Sequence, residues 1–303
     1  MKNILVAGGT GMVGERLTTL LSEKGYATAV LSRSKSSIEN GIFNWDIENN
    51  KIDSEAIAWA DAIINLAGAG IADKRWTEAR KKVITESRTK SNHFLLSSCL
   101  EYGKLPEVYL SAGGMNFYGD SRDQILTENS PKGSVGFLPK SCEAWEKAVS
   151  SWAQKGVRTI QYRISIVLST KGGALPKMAM TAPIGIVPYF GNGQQWYSWI
   201  HIDDLCRLFI KGLEDSSMSG IFNAASPEPV TNKEIAKAIL KANTKIGITP
   251  SVPSIFMKLG LGEMSETVLS SVRLSVDKIA SKGFKWEFPD IASALKDLNQ
   301  RKI

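Results

Sequence analysis

The chain has 303 residues, with 37 Lys and Arg against 30 Asp and Glu (formal charge +7) and 43% hydrophobic residues. That apolar content excludes a disordered or collagen-like chain, and the length allows two domains or one large α/β unit with an attached lobe. Three cysteines (Cys99, Cys142, Cys206), none in a CxxC pair, exclude a disulfide framework, and no apolar run reaches the ~18 residues of a membrane helix.

Residues 2–7 form a short apolar run that predicts a strand, and Gly8-Gly9-Thr10-Gly11-Met12-Val13-Gly14 follows as a tight turn. Leu17, Leu20 and Leu21 recur at helical spacing over 15–24, and Gly25 closes that helix. Residues 27–31 predict a second strand and 62–66 a third, which enters another glycine turn at Gly68. Later strands are predicted over 108–111 and 159–168, with long helices over 74–100 and 141–154. Strands alternating with helices predict an α/β fold of βαβ units with a parallel sheet.

After Leu168 the pattern changes. Residues 172–195 are rich in Gly, Pro and Met and keep no period. Strands are predicted over 199–202 and 221–225, and helices over 203–213, 232–242 and 290–299. The division expected is a dinucleotide-type domain over 1–170, to which 199–225 return. A smaller C-terminal substrate lobe is then built from 171–198 and 226–303.

The first glycine turn has a physical purpose in its context of strand before and helix after. Glycines let backbone approach a pyrophosphate, and the helix start offers free N–H groups and the positive end of its dipole. Gly8, Thr10, Gly11, Met12, Val13 and Gly14 are therefore expected at a bound dinucleotide, with the Thr10 hydroxyl as a further donor. The end of the second strand reports which dinucleotide. NAD sites hold a carboxylate there, whereas NADP needs positive charge for its 2′-phosphate. This chain reads Leu31-Ser32-Arg33-Ser34-Lys35, with no carboxylate and with an arginine able to fork onto a phosphate, so NADP(H) is the expected cofactor.

Further along come Asn65-Leu66-Ala67-Gly68, Lys74-Arg75-Trp76-Thr77, Glu86-Ser87-Arg88, Phe137-Leu138 with Cys142, Trp145 and Glu146, and Gly172-Gly173-Ala174-Leu175. Ser198-Trp199-Ile200-His201-Ile202-Asp203-Asp204 and Gly283-Phe284 complete the series. In this order the chain resembles the extended short-chain dehydrogenase/reductase superfamily. More narrowly it resembles the NAD-dependent epimerase/dehydratase-like group called epimerase family proteins, which carry a C-terminal domain of unknown function. The resemblance implies a Rossmann-like fold, a doubly wound parallel sheet, with an NADP-type site. It also implies cofactor contacts at Ser32 and Arg33, at Leu66 and Ala67 beside Gly68, and at Arg88.

The chemistry departs from that superfamily. Its active members pair a Tyr with a Lys four residues on, the Lys lowering the Tyr pKa for acid/base work, and add a Ser from the preceding strand. Here Phe137 stands at the Tyr position and Ser141 at the Lys position, and Lys140 is only three residues on. Gly113 and Gly114 replace the expected second serine, which leaves Ser111 and Tyr118 as the candidate catalytic hydroxyls. His201, beside Asp203 and Asp204, is read as held by hydrogen bonds at a helix start capped by one of the aspartates, rather than as a proton shuttle. Cys142, Trp145, Glu146 and Val149 share one helix face, where the Glu146 carboxylate must find a partner. No metal-ligand spacing is present.

Between Lys74 and Lys90 lie seven basic and two acidic residues, so most of the excess charge is expected on one helix, with Arg88 toward cofactor phosphates. Two functions remain open. One is an NADP-dependent oxidoreductase or epimerase-like enzyme acting on an unknown small carbonyl or hydroxyl compound. The other is a catalytically silent NADPH-binding sensor or regulator. The missing Tyr–Lys pair favours the second, and the retained glycine loops with an aromatic middle segment favour the first. A soluble, cytoplasmic monomer or homodimer is expected, without nucleic-acid or membrane partners.

Overall fold

The computed structural model describes residues 1–33, 36–243 and 246–301. The chain opens with β1 (Asn3–Ala7), α1 (Met12–Glu23), β2 (Ala27–Ser32), β3 (Ile42–Asp46), β4 (Lys51–Ile52), α2 (Ser54–Trp59) and β5 (Ala62–Asn65). It continues through α3 (Glu78–Glu101), β6 (Val108–Gly114), the short β7 (Ile125–Leu126), α4 (Phe137–Gln154), β8 (Arg158–Ile164) and β9 (Ile166–Leu168). Among the described residues an eight-stranded sheet runs in the order Gly220–Ala224, β8, β6, β5, β1, β2, β3, β4. All its pairings are parallel except that of β3 with β4. From β1 the chain steps outward to β2 and β3, then crosses back to β5 on the other side of β1. The C-terminal ends of β1 and β5 therefore flank the point where strand order reverses, the place where open α/β sheets bind ligands.

Alternation of side chains builds the two faces. In β1, Ile4 and Val6 join Leu17, Leu21 and Leu110 in one core, while Leu5 and Ala7 join Ile63, Tyr109 and Trp152 in the other. Both faces are covered, α1 packing against α6 (Ile202–Glu214) on one side and α3 against α4 on the other. That is why β1 reads as an unbroken apolar run rather than an alternating one. On the α3/α4 side the rings of Tyr109 and Trp152 stack with centroids 3.9 Å apart.

Beyond β9 come the short α5 (Ala174–Met178), then α6, the strand Gly220–Ala224, α7 (Asn232–Asn243), α8 (Ser254–Leu261), α9 (Glu266–Leu269) and a last helix, Ile291–Gln300. The last helix is capped by the Asp290 carboxylate, which accepts from the N–H groups of Ala292 and Ser293. A small third core holds this C-terminal segment against the sheet domain. In it Met264 packs with Trp76 and Ile84 at the start of α3 and with Leu138 on α4.

Three expectations need correction, and a strand of the main sheet was missed. The helix predicted over 141–154 begins four residues earlier, at Phe137. The strand predicted over 159–168 is two. The Ser165 N–H donates to Ala224 O (3.0 Å) within the main sheet, whereas the Ile166 N–H donates to Ser198 O (3.1 Å), so the chain changes sheets at that residue. The helix predicted from residue 74 begins at Glu78, because the Thr77 hydroxyl caps it by accepting from the Arg80 N–H. Strand β3, with Phe43 and Trp45 buried on the α3 side, had no predicted counterpart.

Candidate functional site

At the end of β1 the glycines divide into two kinds. Gly8 has φ +78°, and a Cβ on it would stand 2.8 Å from the carbonyl carbon of Leu66; one on Gly14 would lie 2.3 Å from Gly8 O. A Cβ on Gly9 would meet the Val30 side chain at 2.3 Å. These three are required for the turn to pack on itself and on the loop after β5. Gly11 is different: it is exposed, has φ −84°, and a Cβ there would meet only Gly8 O, at 3.4 Å. Nothing in the chain demands glycine at that position. It stands at the start of α1, whose first turn has no side-chain cap and is approached by Gly172 and Gly173 at Met12 and by Lys171 at Glu15.

The loop after β5 touches this turn directly. The Leu66 N–H donates to Ala7 O (2.8 Å), and the Asn65 side chain sets the bend by accepting from the Ala67 N–H (3.0 Å). Asn65 is buried and fixed in turn, its amide donating to Tyr109 Oη (2.9 Å) and Ser91 Oγ (3.2 Å). Gly68 comes next, and a Cβ on it would press on the Arg88 side chain at 3.2 Å. Arg88 is half-buried, lies over the Trp145 ring at 4.9 Å and donates to Ile84 O (2.8 Å). Its guanidinium has no carboxylate partner among the described residues, and burial pushes its pKa below the ordinary arginine value.

The other basic residues within α3 behave otherwise; Lys74 and Arg75 precede the helix. Lys81 pairs with Glu78 and Glu263, Lys82 and Lys90 with Glu86, Lys90 also with Glu48, and Arg80 with Asp73. The charge excess on this helix is therefore not a phosphate-facing field, because neighbouring carboxylates neutralise most of it. Arg88 is its exception. Ser32 closes β2 half-buried and Arg33 follows it exposed, on the switch-point side of the sheet; Ser34 and Lys35 lie outside the described residues.

At the other end of the crevice both candidate hydroxyls are buried and engaged. Ser111 is fully buried, with its hydroxyl donating to Ala112 O (2.9 Å). The Tyr118 hydroxyl donates to Asn223 Oδ1 (2.7 Å) and accepts from Arg163 (2.8 Å), and burial raises its pKa. Arg163 explains Glu146. The two form a bidentate pair at 2.7 and 2.9 Å, Arg163 is 3% exposed, and its guanidinium also covers the Phe117 ring at 3.7 Å. The carboxylate on the apolar face of α4 thus has its partner and is structural. Gly114 and Cys142 fit as a pair, since a Cβ on the glycine would stand 3.3 Å from the thiol, which burial pushes up to about 12. Phe137 packs edge-on against Trp76 at 5.3 Å, Lys140 is exposed, and the Ser141 hydroxyl accepts from Thr85 (2.9 Å).

His201 is closed off as well. Its Nδ1 accepts from the Asp203 N–H (3.1 Å), so the histidine itself, and not an aspartate, caps α6. That leaves Nε2–H to donate to Asp297 (3.1 Å). Burial lowers the imidazole pKa to about 4. Asp203 instead binds Arg16 and Arg301, and Asp204 binds Arg207 while accepting from the Glu287 and Phe288 N–H groups.

Sequence reasoning missed one feature. A cleft of about 460 Å³ opens where β6 and the start of α4 meet the C-terminal segment, lined among others by Asn116, Leu138, Pro139, Lys258, Ser265 and Glu266. No local pattern marks it, because its walls come from segments far apart in the chain. Among the described residues no group of three or more His, Cys, Asp or Glu side chains forms a metal site, and no helix is long and apolar enough to cross a membrane.

Comparison with known proteins adds three findings. The model of the NAD dependent epimerase/dehydratase family matches residues 4–225, and a domain of unknown function, DUF1731, matches 252–298. Epimerase family protein SSP1921 of Staphylococcus saprophyticus is 32% identical over 301 residues, covering 98% of this chain and 99% of that one. Epimerase family protein YfhF of Bacillus subtilis is 30% identical over 298 residues, covering 98% and 97%. The crystal structure of human epimerase family protein SDR39U1 with NADPH superposes with a TM-score of 0.87 at 27% identity, over 98% of this chain and 99% of that chain.

Proposed function

The chain belongs to the NAD dependent epimerase/dehydratase family, and from that premise we propose that it binds NADP(H) and uses it in oxidoreduction of a small carbonyl or hydroxyl compound. The uncapped start of α1, with Thr10, Gly11, Met12 and Val13, would hold the pyrophosphate. Leu66, Ala67 and Gly68 would contact the dinucleotide from the loop after β5, and Ser32 with Arg33 would take the 2′-phosphate. Arg88 supplies charge to the phosphates from the next loop. The observation that carries this reading is the half-buried, carboxylate-free Arg88 against Gly68, beside a helix start with no cap of its own. A desolvated cation without a counter-ion is costly to the protein alone and suited to an anionic ligand. The human SDR39U1 structure with NADPH supports the choice of phosphate form.

When bound, the nicotinamide supplies or accepts hydride; the protein's part is to orient it and exclude water. The preference for phosphate is tested by titrating NADPH and NADH against the chain and its Arg33→Ala variant. Preference for NADPH is expected, falling by about tenfold in the variant, in line with ~1.5 kcal/mol for a charged hydrogen bond. Equal affinity of the unsubstituted chain for both nucleotides contradicts the assignment. A second reading, a nucleotide sensor without turnover, draws support from the closed hydroxyls of Ser111 and Tyr118 and from Phe137.

A further inference from the structure

We propose that Glu266, carried by the C-terminal segment, is the acid/base group of the reaction, in place of the tyrosine and lysine that α4 lacks. The inference rests on the NADP(H) reading above and names the proton donor that reading leaves open. Three observations carry it.

Glu266 lines the 460 Å³ cleft together with Asn116, just beyond β6, and Leu138 and Pro139, in the first turn of α4. The carboxylate reaches the start of that helix because residue 136 is glycine. Gly136 has φ +95°, and a Cβ on it would stand 2.6 Å from Glu266 Oε2. Phe137, at the position where the superfamily keeps its tyrosine, is the next residue. The carboxylate is half-buried and has neither a hydrogen bond nor an ion pair among the described residues, while neighbouring Glu263 is taken by Lys81. A half-buried, unpaired carboxylate facing a cleft is the exception in a molecule whose other buried carboxylates, Glu146, Asp203 and Asp204, are all bonded. Its position is also fixed, since Met264, two residues earlier, is locked in the core with Trp76, Ile84 and Leu138.

The electrostatics agree with that geometry. Burial and then Glu263 raise the carboxyl pKa above its ordinary value, and Lys81 opposes them. The start of α4 favours the ionised form, which keeps the group exchanging its proton. Asp120, Arg122 and Lys258 are the other charged side chains on the cleft wall. A carboxyl whose pKa is raised in this way is better able to act as a proton donor, and the Asn116 amide stands on the same wall as a hydrogen-bond donor to a substrate oxygen. In the reducing direction the carbonyl carbon gains hydride from the nicotinamide as the C=O π bond breaks. The oxygen takes the Glu266 proton, giving the alcohol and NADP⁺, and the carboxylate regains a proton from water at the cleft mouth. The substrate class is therefore an aldehyde or ketone, or the matching alcohol in reverse.

The test compares the unsubstituted chain with Glu266→Gln and Glu266→Asp by three readouts. NADPH titration is expected to give affinities within about twofold for all three. Infrared difference titration is expected to show a carboxyl C=O band titrating above the ordinary glutamate range and absent from Glu266→Gln. With phenanthrenequinone as the carbonyl probe, Glu266→Gln is expected to lower kcat by about 10²–10⁴-fold, the usual share of general acid catalysis, and Glu266→Asp to restore part of it. Equal kcat in Glu266→Gln, a missing infrared band, or no reduction by the unsubstituted chain overturns the role of Glu266. If NADPH still binds in any of those cases, the nucleotide reading stands; if the unsubstituted chain fails to bind NADPH, both fall.

Discussion

Arg163 and Arg88 both sit beside α4, and they are opposites. Arg163 is buried in a closed network: Glu146 grips it with both oxygens, the Tyr118 hydroxyl and the Glu128 backbone carbonyl accept from its Nη1, and Asn223 accepts in turn from Tyr118. Arg88, at the crevice edge, has one backbone acceptor, an aromatic ring beneath it and no carboxylate. The first arrangement satisfies its own charge and so serves the fold. The second leaves its charge without a carboxylate among the described residues, which is what the proposed anionic ligand would supply. The same contrast separates His201, Asp203 and Asp297, bound up with Arg16 and Arg301, from Glu266 at the cleft.

The largest effect expected from this contrast is on stability. Glu146→Ala strands the Arg163 guanidinium in a buried site and is expected to destabilise the fold by about 3–5 kcal/mol, read by chemical denaturation. A loss below about 1 kcal/mol would show that the network is not closed in the sense argued.

Next in size is a pH effect from the closed cluster around His201. The unfolded histidine takes a proton near pH ~6.5, whereas the folded one resists protonation until about 4. Between those values the unfolded state binds more protons, so stability is complete above pH ~6.5 and is lost as pH falls toward 4, by on the order of 2–3 kcal/mol. Burial alone would raise the Asp203 carboxyl, but Arg16 and Arg301 hold it well below the usual range, so its contribution is lost at still lower pH. Denaturation midpoints across this range check the sign, and His201→Asn should flatten the slope between the two pKa values.

The glycine turn gives a smaller and more local contrast. Gly14→Ala forces a Cβ against Gly8 O and is expected to cost about 1–3 kcal/mol of stability, as overpacking does. Gly11→Ala meets no such contact, so stability should stay within about 0.5 kcal/mol while NADPH affinity falls. Equal stability losses in the two variants would remove the distinction between packing glycines and a ligand-facing one.

The glycine turn after β1 was legible in the sequence because its determinants are local. A strand, a glycine turn and a helix start lie within residues 3–23, and the loop after β5 carries its own Asn65 turn. The pattern also required a partner for Glu146 without being able to name Arg163, which comes from another strand. The basic helix misled because composition counts charges, whereas Glu48 and Glu263, from remote segments, neutralise two of its lysines. Ser111 and Tyr118 look reactive in a string of letters, and burial with fixed hydrogen bonds is invisible there. Glu266 left no local trace, since its meeting with Gly136 depends on how the C-terminal segment folds back over α4.

On the proposed function, Arg88 serves an anionic ligand rather than the fold. That role is tested most directly by measuring NADPH affinity and unfolding free energy together for the unsubstituted chain and Arg88→Ala. NADPH affinity is expected to weaken by about 10–100-fold, equivalent to ~1.5–3 kcal/mol for a charge-assisted contact, with stability within about 1 kcal/mol of the unsubstituted chain. Unchanged NADPH affinity, or a stability loss as large as that of Glu146→Ala, would contradict it.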